Sequence, residues 1–215
     1  MKYDREYALR WIRYFESRKD LFKPKHLNPY LKQVFAGAKT GEKILDVGCG
    51  WGEALASIPT ELEYFGCDPS ITFLNYIAKN NPDRTLHLRR GGLPSQIPFE
   101  GQFDNVLCSM VLHCVGDLET SIDTLFSKAI PHRRVVIVDF RDKAHRLVRA
   151  GFIEMFEERK DYVRGLYALS DEVQLEAEAH LHAERKIESL LRRYGRFKKT
   201  FLGPFFVGYS AIKDK

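Results

Sequence analysis

The sequence predicts an α/β fold: one mainly parallel sheet of seven strands with helices on both faces, closed by an antiparallel C-terminal hairpin. Three observations predict it. Beyond KTGE, short apolar runs divided by Gly, Pro, Asn and Asp alternate with helix-length segments, the pattern of βαβ units. The segments joining these runs are longer than a hairpin, so neighbouring strands run parallel through crossovers. At the C-terminus RFKKTFLG and PFFVGYSAIK meet directly at Gly203-Pro204, as two strands of a hairpin do.

The chain of 215 residues is read as one domain, long enough to bury a substantial core. Its parts are an N-terminal helical cap (1–40), a core (41–140), a helical cover (141–195) and the hairpin (196–215). Hydrophobic residues make up 44% and no stretch is of low complexity, as expected of a folded domain. MKYDREYALRWIRYFESRKD mixes charges with aromatics and lacks the apolar centre of a signal peptide. No segment approaches a membrane span of roughly 18 apolar residues, so a cytoplasmic protein without a membrane partner is expected. Cys49, Cys67, Cys108 and Cys114 are widely spaced and form no C-x-x-C pair, so they read as small buried hydrophobes; no metal site is expected. The net charge of +5 gathers in PHRRVVIVDFRDKAHRLVR and RKIESLLRRYGRFKK, which suits an anionic partner or simply a solvated face.

In chain order, residues 3–18 carry Tyr3, Tyr7, Trp11 and Tyr14 at approximately helical spacing, and a second short helix is expected from Pro29 to Ala36. Strands are expected at KILDV (43–47), EYFGCD (63–68), TLHLR (85–89), FDNVLCSMV (103–111) and RVVIVDF (134–140). Helices should follow Gly52, Pro69 and Asp117, the last a good N-cap. Asp142 to Tyr194 reads as helix broken near LSDE, where Ser170 caps the next segment.

The stretch KILDVGCGWGEAL concentrates the chemistry: an apolar strand, then Asp46, Gly48, Gly50 and Gly52, then a helix start. Glycines here let backbone approach a bound nucleotide or amino acid, and a helix start offers free N–H groups. The next strand ends in Asp68, twenty residues after Gly48, where a carboxylate can accept from both ribose hydroxyls. These features alone admit NAD as well as S-adenosylmethionine. The glycine spacing separates them, because the dinucleotide motif G-x-G-x-x-G places its third Gly one position later.

With Asp46 ahead of G-x-G-x-G, the sequence resembles the class I S-adenosylmethionine-dependent methyltransferases, whose first motif is (D/E)-x-G-x-G-x-G. IPFEGQFDNVLCSMVLHCV is similar to the same family's fourth-strand region, and the resemblance spans about residues 40–140. It implies a Rossmann-like fold and S-adenosylmethionine as cofactor, with S-adenosylhomocysteine as product. It implies that Gly48, Gly50 and Gly52 line the methionine part, that Asp46 orients the loop and that Asp68 holds the ribose. Pro69 and Ser70 would lie beside the adenine. Many relatives have an acidic residue after the third strand; here RRGGLPS stands instead, pointing to backbone or apolar contact by Gly92 and Leu93. Ser109 and Met110 would border the cofactor at the carboxyl end of the fourth strand, where open α/β sheets bind ligands.

His113 is the candidate general base, since imidazole titrates near neutral pH; the alternative is a packing or cofactor-shell residue. Trp51 is read as a lid over the cofactor or as helix packing. Tyr7 and Trp11, with Phe152 and Phe156 of the 141–195 cover, are substrate-pocket candidates. The (D/N/S)-P-P-(Y/F/W) motif of exocyclic base methylation is absent after the fourth strand. A small-molecule acceptor methylated on O or N is therefore expected. A nucleic acid or protein acceptor, reached through the basic stretches, and a non-catalytic S-adenosylmethionine-binding sensor or partner subunit are the alternatives.

Overall fold

The computed structural model describes residues 5, 6, 8, 9, 12, 13, 27–94, 96–142, 182–203 and 206–214. Within them lie helix α1 (Leu27–Phe35), strands β1 (Lys43–Val47) and β2 (Glu63–Asp68), helix α2 (Ile71–Asn80), and strands β3 (Leu86–Arg90) and β4 (Phe103–Ser109). Helix α3 (Leu118–Ser127), strand β5 (Ala129–Phe140), helix α4 (Glu184–Leu191) and strands β6 (Phe197–Leu202) and β7 (Phe206–Ile212) follow. The seven strands form one sheet in the order β3-β2-β1-β4-β5-β7-β6. β1 to β5 pair in parallel, while β7 lies antiparallel between β5 and β6. This is the expected Rossmann-like sheet with its antiparallel hairpin.

Strand alternation sorts the core onto two faces. Leu45, Val47, Val106, Cys108, Val135 and Ile137 point to the side covered by Leu118, Ile122, Leu125 and Phe126 of α3 and Ile187, Leu190 and Leu191 of α4. Ile44, Tyr64, Leu107, Val136 and Val138 point to the other, under Leu27, Tyr30, Leu31 and Phe35 of α1 and Leu74 and Ile77 of α2. Gly208 of β7 is held to that second face: a Cβ there would stand 2.7 Å from the Tyr30 ring.

β1 and β2 have the expected bounds; β3 begins one residue later than expected. β4 stops at Ser109 rather than Val111, because Met110 takes a left-handed conformation (φ 60°) and leaves the ladder. β5 begins at Ala129, earlier than expected, through an irregularity in its pairing with β4 between Phe103 and Asn105. The helix expected after Gly52 is one 3-10 turn, Ala54–Ser57. Pro59 accounts for this: it pushes Ile58 out of helical space (φ −93°, ψ 123°). α1 begins two residues before the expected Pro29, which the first turn tolerates. Asp117 caps α3, its Oδ1 accepting from Thr120 N at 3.0 Å.

Of the expected helical cover, 182–195 is described and contains α4; Phe152, Phe156 and Ser170 lie outside the described residues, as do Tyr3, Tyr7, Trp11 and Tyr14. No helix among the described residues is long and apolar enough to cross a membrane.

Phe126 is fully buried and stacks on Tyr194 with ring centroids 4.1 Å apart. Phe126→Ala is expected to cost about 3–5 kcal/mol of folding stability, read as a lower urea midpoint. An unchanged midpoint would show that α3 does not anchor this face.

Candidate active site

β1 delivers Gly48, Gly50 and Gly52 into a tight loop in which all three have positive φ, at 74°, 52° and 88°, conformations that L-residues resist. Gly48 N and Cys49 N both donate to the carbonyl of Cys67 at the end of β2, at 2.8 and 3.0 Å. A Cβ at Gly48 would stand 2.3 Å from Val111 Cγ2, and one at Gly52 3.1 Å from Ile77 Cγ1. At Gly50 nothing lies within 4 Å of that position. The outer glycines thus pack the loop against protein, and the middle one borders open space.

Asp68 closes the arrangement. Its Oδ2 accepts from Gly50 N at 3.0 Å and its Oδ1 from Ser70 N at 2.8 Å, so one buried carboxylate ties the glycine loop to the start of α2. Burial pushes Asp68 up to about 6, against the Ser70 and Gly50 hydrogen bonds that favour its charged form. Asp46 is buried below the loop and accepts from the Tyr64 hydroxyl at 2.8 Å. Burial raises it to about 7; the Tyr64 bond opposes this and the Asp68 charge adds to it. Glu53, beside Gly52, is pushed up to about 7 by desolvation.

The remaining cofactor candidates fall in two groups. Pro69 and Gly92 adjoin: a Cβ on Gly92 would stand 3.6 Å from Pro69 Cδ. Arg90 Nε donates to the Pro69 carbonyl at 3.0 Å, and Gly92 pairs with Gln96 in an isolated bridge. Ser70 is buried with its Oγ unpartnered among the described residues. Leu93 is partly buried and packs against the core face that holds α3. Trp51 joins Ala8, Ile12, Phe73 and Tyr76 in one apolar cluster, its ring edge-on to Phe73 at 6.0 Å. Ala8 and Ile12 therefore pack beside the glycine loop at Trp51.

At the carboxyl ends of β4 and β5, Ser109 and Met110 lead into the turn that carries His113. Met110 N donates to the Val138 carbonyl at 2.8 Å. His113 is fixed twice by Asp139: its backbone N donates to Oδ2 at 3.1 Å, and its Nδ1 lies 2.8 Å from Oδ1. Burial works to lower the imidazole, but the Asp139 charge, the Cys114 thiol and hydrogen bonding to both hold it well above 6.5.

Tyr64, Glu53, Val111 and Asp139 are additions to the residues singled out from sequence. Asp139 left a readable signal, a lone carboxylate at the carboxyl end of the apolar run RVVIVDF. Tyr64 left none, since its link to Asp46 crosses from one strand to the next.

The residues fit a cationic nucleoside ligand. Gly50 leaves room for it, Ser70 Oγ offers an unused polar group, and Asp46, Glu53 and Asp68 put carboxylates around the loop. Among the described residues no group of His, Cys, Asp and Glu could hold a metal ion.

Gly48→Ala should lower stability by about 1–3 kcal/mol more than Gly50→Ala, because only the former must displace a neighbouring side chain. Comparing the two urea midpoints checks this, and equal losses would contradict the different surroundings of the two glycines.

Residues 45–131 match the family model of a methyltransferase domain. No curated protein matches the chain. Among solved structures, it superposes on the plantazolicin methyltransferase BpumL in complex with S-adenosylhomocysteine with a TM-score of 0.68, at 14% identity over 99% of this chain and 91% of that one. Magnesium protoporphyrin IX methyltransferase (ChlM) from Synechocystis PCC 6803 gives 0.66 at 18% identity, over 95% and 93% of the chains. N-methyltransferase NodS from Bradyrhizobium japonicum WM9 gives 0.63 at 11% identity, over 87% and 86%. The chain thus shares its fold with these methyltransferases, and the stretch that matches the methyltransferase-domain model contains its glycine loop and Asp68.

Proposed function

We propose that the protein is a cytoplasmic enzyme that transfers a methyl group from S-adenosylmethionine to an oxygen or nitrogen of a small molecule. The observation that carries this reading is the glycine loop fastened to Asp68, with open space at Gly50. S-adenosylmethionine supplies a methyl group activated on a sulfonium sulfur; the protein has to align the acceptor and exclude water.

In this reading Gly48, Gly50 and Gly52 receive the methionine part through backbone, with Asp46 beneath them. Asp68 has one lone pair on each oxygen committed to Gly50 N and Ser70 N, leaving capacity for the two ribose hydroxyls. Pro69 and Gly92 lie against each other on the adenine side, and Leu93 borders it. Trp51 covers the loop together with the N-terminal segment, supported by its cluster with Ala8 and Ile12. Ser109 and Met110 face the transfer point, with His113 behind them. Tyr7, Trp11, Phe152 and Phe156 are assigned to the acceptor pocket from sequence. A small acceptor accords with the named activity of ChlM, a magnesium protoporphyrin IX methyltransferase.

Three carboxylates raised by burial link binding to protons. Their folded values lie above their ordinary ones, so the stability they contribute is present in acid and is lost as pH rises from about 4 to about 7. A cationic ligand favours their ionised forms, so binding should release protons and strengthen as pH rises through 6–7. The rise in melting temperature produced by S-adenosylmethionine should be larger at pH 8 than at pH 5.5. The reverse order would remove these carboxylates from the site. Asp68→Ala should weaken S-adenosylhomocysteine binding by about a hundredfold or more, measured by calorimetry; unchanged affinity would refute the ribose assignment.

The decisive experiment incubates the purified protein with methyl-labelled S-adenosylmethionine and cell extract, then separates small molecules, RNA and protein. Label among small molecules is expected. Label in RNA or protein would replace the acceptor class, and tight cofactor binding without transfer would favour a sensor.

A further inference from the structure

Arg141 is held differently from Arg84 and Arg133. Arg84 directs its terminal nitrogens to the carbonyls of Leu55, Ile58 and Pro59, and Arg133 directs its own to Glu42 and Asp104. Among the described residues Arg141 has only Nε engaged, 3.4 Å from Glu184 Oε1. The edge formed by its two terminal nitrogens is left for a planar anion, which it can meet with two parallel hydrogen bonds. The guanidinium lies 4.2 Å from the centroid of the Phe201 ring, and the Arg141 side chain is 23% exposed. Phe201 itself is 56% exposed. Lys199, ion-paired to Glu184 and Glu188, stands 5.0 Å from the same ring. α4 and β6 thus fix the guanidinium through a carboxylate and an aromatic ring, and more than half of that ring remains open to solvent.

The register of the hairpin places this cluster. Phe201 pairs with Val207 of β7, and Val207 pairs with Asp139 near the end of β5. Phe201 and Arg141 therefore stand at the carboxyl edge of the sheet, where open α/β sheets take their ligands. Phe201 is two strand spacings, about 10 Å, from Asp139. Resting on the methyltransferase reading above, we propose that Arg141 is a specificity-determining residue that binds a carboxylate of the methyl acceptor, at the end remote from the atom that is methylated. The two oxygens of a carboxylate match the terminal edge of a guanidinium. The open part of the Phe201 ring offers apolar cover to the chain that joins this carboxylate to the nucleophile. Glu184 is the positioning residue, holding Nε so that the opposite edge faces the acceptor. The carboxylate keeps its charge and takes no part in the transfer; it serves to align the far end of the molecule.

The test uses the full chain saturated with S-adenosylhomocysteine and four probes of equal chain length: hexanoate, hexanamide, hexyl phosphate and hexylamine. Their dissociation constants are read by NMR titration. Hexanoate is expected to bind at least about tenfold more tightly than hexanamide, as a charge-assisted pair of hydrogen bonds requires. Arg141→Gln should erase that difference while leaving the affinity for S-adenosylhomocysteine unchanged, and Arg141→Lys should restore it only in part. Equal binding of hexanoate and hexanamide, no binding of hexanoate, tighter binding of hexyl phosphate or hexylamine, or a preference that survives Arg141→Gln would each overturn the proposal. Should Arg141→Gln fail to fold, Phe201→Ala, a change at an exposed side chain, carries the same comparison, with a severalfold loss of the hexanoate preference expected and an undiminished preference overturning the proposal. Failure of the native chain to bind S-adenosylhomocysteine would instead sink the methyltransferase reading.

Discussion

The Asp68 carboxylate is the constraint on which the rest of this site depends. Its two oxygens take one backbone N–H from Gly50 and one from Ser70, so the glycine loop after β1 and the start of α2 after β2 are set by one buried group. Three successive positive-φ glycines would otherwise be a flexible segment, since glycine loses more freedom on folding than any other residue. The loop also leans on Val111 and Ile77. The parallel register of β1 on β2, with Asp46 opposite Gly66 and Val47 opposite Cys67, brings Cys67 and Asp68 under the loop in the first place. Sheet pairing therefore precedes the site physically: without it there is no carbonyl at Cys67 to receive Gly48 N and Cys49 N.

The two halves of the site use carboxylates differently. Around the glycine loop Asp46, Glu53 and Asp68 are raised chiefly by burial. That is an environment costly to ionise and therefore receptive to a positive ligand. At the end of β5, Asp139 instead meets His113, a partner that can carry the opposite charge. One edge of the sheet thus has an acidic, desolvated side next to a side where a carboxylate meets an imidazole.

Much of this was legible in the sequence, for physical reasons. KILDV and EYFGCD are buried on both sides, so their apolar runs mark the strands cleanly, and the Asp46-to-Gly52 and Asp68 positions follow from where those strands end. The hairpin was legible from Gly203-Pro204. The turn after Gly52 was misread as a helix because the local pattern is helical and the obstacle, Pro59, acts from beyond it. The early start of β5 was hidden because Pro131, His132 and Arg133 interrupt its apolar run. The Asp139–His113 pair could not be read from spacing, since it joins residues 26 apart in sequence, one at the end of β5 and one in the turn after β4.

The place of β7 has a consequence for the order in which the molecule can be completed. β7 is the last of the described strands, yet it occupies the position between β5 and β6. As the polypeptide emerges from the ribosome, β5 displays an open hydrogen-bonding edge carrying Val136, Ile137 and Val138 until the final stretch arrives to pair with it. Such an edge is a template for unwanted association. Productive folding of this chain is thus a race between the arrival of β7 and capture of that edge by another nascent chain or a chaperone.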